Sequence, residues 1–299
     1  MLAKTRSIKL EVIVVTENKQ AKKSLEKNEL LPLIDELIIA KEKSGFAGMN
    51  NLAIDKAIDK FSPDFVLLIN DDAQVEKDFF KKLISDQSIQ KADIIAPLIL
   101  IRETNKLDSF GVEYFKSGYA KNALDTQVKT TLASASCLLV KEKLLQKMKL
   151  KYGFYFNDLL YFYLEDVEFC IRAVMLGAEI IKCKVLKVHH VCSASSGQRS
   201  YFTMYQTYRN IGWLIIMTWP LKVIFKNMWS ILLVQAWIMF YSLKSFGPKL
   251  YVNLIIDTIK NLEQLINKRK KIIPAYKKNI NFLNMFSPYT FRTYHNIKF

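Results

Sequence analysis

Two hydrophobic periods alternate along the first two-thirds of the chain. Short apolar runs that end in polar residues, "LEVIVVTEN", "DELIIAKEK", "FVLLINDD", "KADIIAPLILI" and "AEIIKCKVLKVHH", are too short for helices and predict strands. Between them, "KQAKKSLEKNELLPLI", "GFAGMNNLAIDKAIDKF" and "VEKDFFKKLISDQ" place apolar residues at helical spacing. "NDLLYFYLEDVEFCIRAVMLG" is helical in its second half, with Gly177 as its stop, and "LASASCLLVKEKLL" reads as a strand running into a helix. Only the stretch from about Thr104 to Thr131 breaks the rhythm, being polar and glycine-containing. Strand–helix alternation of this kind predicts an α/β fold, a mostly parallel sheet with helices on both faces.

The last third follows a different pattern. "IGWLIIMTWP" is apolar up to Pro220, and Met228 to Leu243 runs sixteen residues without a charge. A membrane-spanning helix needs about twenty apolar residues, and Pro220, Lys222 and Lys226 interrupt any longer run. Helices lying in a membrane surface, with Trp213, Trp219, Trp229 and Trp237 at interfacial depth, fit better. A packed helical subdomain is the competing expectation.

Charge sharpens this division. The 299-residue chain carries +16, and residues Tyr201 to Phe299 hold 14 Lys and Arg against Asp257 and Glu263, which is +12 of the total. Such asymmetry points to an anionic partner, a membrane surface or a nucleic acid, unless the tail is simply a solvated basic one. "KRKK" at Lys268 to Lys271 is one short cluster with no interleaved aromatic platform, so nucleic acid is not expected as a partner. With 51% hydrophobic and 24% charged residues, wholesale disorder is excluded. No secretory signal is visible at the start, and Cys137, Cys170, Cys183 and Cys192 form no paired motif, so reduced thiols in a cytosolic setting are expected.

Three places carry candidate chemistry. The run from Phe65 to Ile69 ends in Asn70-Asp71-Asp72, two adjacent carboxylates that repel unless something positive lies beside them. They could hold a divalent metal at the carboxyl end of a strand, or Asp72 could cap a helix through "VEKDFFKKLI". Glu165-Asp166 opens a predicted helix, where acidic residues also suit the helix dipole, and Glu168–Arg172 could be an ordinary surface pair. His189-His190 ends the last strand. Carboxylates with one imidazole suit Mg²⁺ or Mn²⁺ better than zinc.

In this order and context, "SGFAGMNNLAID", "FVLLINDDAQV", "DSFGVEYFKSGYA", "ASASCLLVKEKLL", "FYLEDVEFCIRAVMLGAEI", "VHHVCSASSG" and "YRN" make the chain resemble the family 2 glycosyltransferases of GT-A fold, especially bacterial rhamnosyltransferase-like members. The resemblance covers roughly residues 1–210. It implies a GT-A, Rossmann-like nucleotide-diphospho-sugar transferase domain over 1–210 and a basic, apolar, membrane-associating helical region over 211–299. By the same resemblance Asp72 and His190 would hold the metal. Asp71, Asp72, Thr16, Gly45 and Asn51 would bind the nucleotide-diphosphate sugar. Asp166 would be the general base, with Glu165 supporting it or binding acceptor. The implied reaction is inverting, metal-dependent transfer of a sugar, rhamnose being one candidate, to a polysaccharide or lipid-linked glycan at the cytoplasmic face of the cell membrane. The alternative is a relative that keeps the acceptor and membrane surfaces and binds donor poorly.

The resemblance also carries a departure. The family opens with two strand–helix units before the acidic strand end, whereas here one strand precedes "DELIIAKEK". A strand–helix unit of the family is therefore expected to be missing, and "LEVIVVTEN" must either pair with "FVLLIND" or leave a gap beside it.

Overall fold

A computed structural model describes residues 8–41, 43–128, 132–191, 200–275 and 282–287. Residues 192–199, which include Cys192 and the rest of the "CSASSG" run of the expected motif, lie outside the described residues. The chain opens with β1 (Ile13–Thr16), α1 (Ala21–Lys27), β2 (Glu36–Ile39), α2 (Gly45–Phe61) and β3 (Phe65–Ile69). Next come β4 (Ala73–Val75), α3 (Phe79–Ser85), α4 (Gln87–Lys91), β5 (Ile94–Ile101), β6 (Leu107–Ser109), β7 (Val112–Tyr114) and β8 (Ala120–Asn122). The strand–helix part closes with β9 (Cys137–Lys141), α5 (Glu142–Tyr152), α6 (Glu165–Met175) and β10 (Ile180–His190). Five helices follow: α7 (Tyr201–Thr218), α8 (Leu221–Lys226), α9 (Met228–Phe246), α10 (Pro248–Lys260) and α11 (Leu262–Ile272).

The main sheet has the order β3-β9-β5-β10-β4, with β6 also on β5. β9 is antiparallel to both β3 and β5, and β10 is parallel to β5, so β3, β5 and β10 point the same way around an inverted β9. The strand–helix pattern thus gives the expected α/β layers, and the sheet is mixed. Alternation along β3 divides its side chains between the faces: Val66 and Leu68 join the core built by α2, α5, α6 and α7, while Phe65 and Leu67 join that built by α3 and α4.

β1 and β2 pair in parallel but form a separate two-stranded sheet. Among the described residues neither edge of this unit joins β3, so β1 does not pair with β3.

Three expectations need correction here. Glu168 and Arg172 are not a surface pair: both are fully buried, with Nε and Nη2 of Arg172 each 2.7 Å from a Glu168 carboxylate oxygen. The guanidinium lies over the Phe154 ring at 4.5 Å, and its Nη2 also donates to the Tyr155 carbonyl. Trp213 and Trp219 are core residues rather than interfacial ones, donating to Thr258 Oγ1 and to the Tyr114 hydroxyl respectively. The boundary expected at 210/211 falls inside α7, whose buried face continues through Ile211, Trp213 and Leu214. A helix that carries buried Trp213 past the boundary and ends at buried Trp219 has no linker there. α11 is equally tied in: Lys268 sits 3.6 Å above the Phe154 ring, and Arg269 donates to the Ile216 carbonyl at 2.6 Å. That part of the basic cluster is anchored to the fold.

Candidate active site

The strand-end carboxylates belong to a turn, not to a helix cap. Residues Ala73–Val75 form β4 and the following helix starts only at Phe79, with Asp78 in its cap position. β4 pairs antiparallel with β10, setting Ala73 opposite His190, and the Asp72 carbonyl accepts from the Val191 amide at 3.0 Å. Asp72 and His190 are therefore brought together by strand register. Asp72 Oδ1 lies 3.0 Å from His190 Nε2, close enough for an ion pair but out of line for a hydrogen bond; that buried oxygen has no hydrogen-bond partner.

The other ring nitrogen, Nδ1, is 3.0 Å from Asp108 Oδ2. Asp108 lies in β6, which β5 holds on the same sheet as β10. The bond to Asp108, aided by the Asp72 charge and opposed by burial, raises the pKa of His190 above its ordinary value. Asp108 was not singled out in the sequence, because it sits in the polar stretch where neither period is readable. Its place at the start of "DSFG" was the available signal.

This arrangement fits a divalent cation. The buried Asp72 oxygen lacks a partner, Nε2 faces it, and a carboxylate on Nδ1 is the usual device for fixing a metal-ligating histidine. Among the described residues no group of three or more His, Cys, Asp or Glu could hold a metal by itself. Asp72 and His190 would supply two ligands, which suits an ion that takes the rest from phosphate and water.

Glu165 and Asp166 occupy the first turn of α6. Asp166 Oδ2 accepts from the Ala135 amide at 3.1 Å and Oδ1 from the Val167 amide at 2.7 Å. One residue on from Ala135, the Ser136 carbonyl accepts from the Asn70 amide at 3.1 Å. The loop before β9 thus ties the Asp166 carboxylate to the acidic end of β3. Burial raises the pKa of both acids; Glu165, whose Oε2 is buried without a partner, is raised well above its ordinary value, with the Asp166 charge adding to burial.

The approach to α6 is strained. Tyr161, Tyr163 and Leu164 all have positive φ, at 61°, 67° and 64°. Non-glycine residues in this region persist only where surroundings over-determine them. The clamp is Asn210, fully buried on α7, whose Nδ2 donates to the carbonyls of Leu160, Phe162 and Tyr163 at 2.8, 2.8 and 2.7 Å. Arg209 adds a bond to the Leu160 carbonyl at 3.2 Å. The "YRN" motif therefore fixes the backbone that delivers Glu165-Asp166.

The remaining sequence-chosen residues separate. Thr16, Asp71 and Asp72 line one large groove, whereas Asp166 and His190 do not. Gly45 has φ 60°, and a Cβ there would lie 2.5 Å from the Tyr161 ring, so the backbone needs glycine. Its amide and that of Ser44 donate to Glu17 Oε1 at 3.0 and 2.7 Å. Asn51 does not line the groove; its Oδ1 accepts from the Phe156 amide and its Nδ2 donates to the Phe156 carbonyl and to Asp158 Oδ1. With both ends of its amide used this way, Asn51 braces the 156–158 loop, and its neighbour Asn50 faces the groove instead.

No known family's sequence profile matches the chain. It is 26% identical over 171 residues to the low-salt glycan biosynthesis hexosyltransferase Agl10 of Haloferax volcanii, a match covering 55% of this chain and 53% of that protein. The chain therefore spans about half the length of the curated relative it matches. The crystal structure of GalNAc-T7 with UDP, GalNAc and Mn²⁺ superposes at a TM-score of 0.52 and 13% identity, covering 70% of this chain and 42% of that one. A mannosyltransferase from Pyrobaculum calidifontis in complex with GDP-Man and Mn²⁺ gives 0.47 at 13% identity over 89% of this chain and 76% of that one, too low to argue from. The chain shares its fold with GalNAc-T7, and the strand-end acids, the α6 acids and His190 are set in that fold.

Proposed function

We propose that the chain carries out inverting, metal-dependent transfer of a sugar from a nucleotide-diphosphate donor to a glycan or lipid-linked acceptor. The observation that carries this reading is the Asp72–His190–Asp108 array, tied through the 134–136 loop to Asp166. Mg²⁺ or Mn²⁺, when bound by Asp72 and His190, would neutralise the leaving diphosphate. Asp71 and Thr16 line the groove on the donor side. Asp166 accepts the proton of the acceptor hydroxyl, its two backbone bonds holding the carboxylate in one orientation. Burial raises the pKa of both acids, and the Asp166 charge raises Glu165 further. The hexosyltransferase Agl10 supports a hexose donor, and rhamnose stays a candidate.

The test is calorimetry of Mn²⁺-dependent donor binding. Asp72→Ala is expected to remove it with the fold intact, because the residue lies at a groove rim. Equal binding by wild type and variant would exclude Asp72 as a ligand.

The same reading puts the protein on the inner face of the cell membrane. No helix among the described residues is long and apolar enough to cross a membrane. α9 nevertheless buries only the stripe Val234, Ile238 and Ser242, leaving Trp229 76%, Phe240 65% and, on α8, Phe225 68% exposed. An apolar surface of this extent beside Lys222 and Lys226 suits an anionic bilayer. Each basic residue near such a surface contributes about 1 kcal/mol, and each buried aromatic side chain about 1.5–3 kcal/mol. The full chain should float with anionic vesicles, and high salt should release part of it. Phe225→Glu with Trp229→Glu should release most of the rest. Unchanged flotation by that variant would put the contact elsewhere. Cutting the chain near Asn210 is no substitute, since it removes Trp213 and Trp219 from the core.

The gap beside β1 favours a second reading, a relative that holds acceptor and membrane but donor weakly, since Thr16 and Asp71 flank that gap. Donor hydrolysis by purified protein separates the two.

A further inference from the structure

β1 and β3 are both unsatisfied edges, and they border the same groove. Among the described residues β1 pairs only with β2, and β3 is the end strand of the main sheet. The carbonyls of Val12 and Thr16 accept from β2-side amides, so by strand alternation the backbone groups of Ile13 and Val15 point the other way. On β3, Asp64 and Asn70 bond to β9-side partners, so those of Phe65, Leu67 and Ile69 point toward β1. Two open ladders therefore flank one groove. α2 lies against both strands on one face, with Phe46, Met49 and Ala53 lining the groove, and Phe80 and Leu83 of α3 line it from the other face.

Neither edge is protected as free edges normally are. "IVVT" and "FVLLI" contain no charge, proline or bulge. Such uniformly apolar runs belong to strands covered on both faces and paired on both edges, yet Phe65, Val66 and Leu67 are only half-buried and Ile69 is 42% exposed. The groove measures about 2250 Å³, more than twice the ~1,000 Å³ upper end for small-molecule sites. A nucleotide sugar has no run of backbone groups with which to satisfy two ladders; an extended peptide has one.

We propose that the groove between β1 and β3 is the receptor for one extended strand of a second polypeptide, apolar on both faces and flanked by basic residues. The flanking charge follows from the lining. Seven carboxylates, among them Glu11, Glu17, Asp64 and Asp71, and three lysines border the groove, a net negative rim on a strongly basic chain. The same rim disfavours a second copy as the occupant, because the comparable strand here is bracketed by Glu11 and Glu17.

The test uses the full chain and a short labelled peptide, about five valines and isoleucines flanked by lysines. A control peptide has proline at its centre, which keeps the apolar surface but breaks both ladders. Saturable binding at least tenfold tighter for the first peptide is expected. With it should come slowed amide exchange at Ile13, Val15, Phe65, Leu67 and Ile69, and not at Val66 or Leu68, already paired to β9. Ala53→Trp, a plug from α2, should abolish binding while leaving the circular dichroism unchanged. Equal binding of the two peptides would overturn the proposal, as would slot-side amides already as protected as Val66 and Leu68 in the free chain. A dimer that Ala53→Trp converts to monomer would make a second copy the occupant and equally overturn it.

Discussion

Replacing Asp166 with asparagine is expected to lower sugar transfer by about a hundredfold to ten-thousandfold, the usual loss when a positioned general base is removed. The substitution keeps the shape of the side chain, and an amide oxygen can still accept from the Ala135 or the Val167 amide. Donor affinity should change little, because Asp166 does not line the groove that Asp71, Asp72 and Thr16 border. Single-turnover transfer beside donor-binding calorimetry separates the two effects. Near-normal transfer would remove Asp166 from the reaction.

The pH profile gives the same residue a second signature. The base is active when ionised, and burial raises its pKa. Transfer should therefore fall, as pH is lowered, at a value above the ordinary aspartate range of about 3.9. Glu165 adjoins it and is raised further, with the Asp166 charge adding to burial, whereas burial is what raises Asp166. Glu165→Gln, which removes the neighbouring acid without adding charge, should therefore leave that limb in place. A limb moved to lower pH would mean that the Glu165 charge helps to set it.

What was readable in advance divides by range of interaction. β3, α2 and β10 could be read because their apolar periods are local and strong, and Asn70-Asp71-Asp72 stood out because charge follows an apolar run abruptly. Whether Asp72 capped a helix could not be read, since that depends on β4, three residues long, pairing with β10 across more than a hundred residues of sequence. Asp108 was hidden for the same reason: its carboxylate gains meaning only when β6 and β10 meet on β5. Asn51 shows the same limit from the other side. Its position in "GFAGMNN" suggested the donor, whereas helix periodicity turns Asn50 to the groove and Asn51 to the 156–158 loop. In the last third, apolar runs said that surface would be covered without saying by what. Trp213 and Trp219 are covered by the fold, and Trp229 is not.

Asn210 offers the other large effect, and it tests whether the strained loop serves the site. In Asn210→Ala the carbonyls of Leu160, Phe162 and Tyr163 lose a shared donor. A buried acceptor left unpaired costs about 1–3 kcal/mol, and with water reaching some of the three the expected loss is about 3 kcal/mol. Three positive-φ residues would then be free to relax toward ordinary conformations, shifting the start of α6 and with it Asp166. A displacement near 1 Å at a reacting group can cost about a hundredfold in rate, so kcat should fall by one to two orders of magnitude with little change in donor affinity. Asn210→Asp, nearly identical in shape, should be worse in stability, because it turns a carboxylate toward three carbonyl oxygens. Denaturant melts of the full chain report the first effect, and transfer measured well below the melting range reports the second. If Asn210→Ala melts like wild type, the clamp is dispensable. If it melts early but transfers normally when folded, the strain belongs to the fold and not to the chemistry.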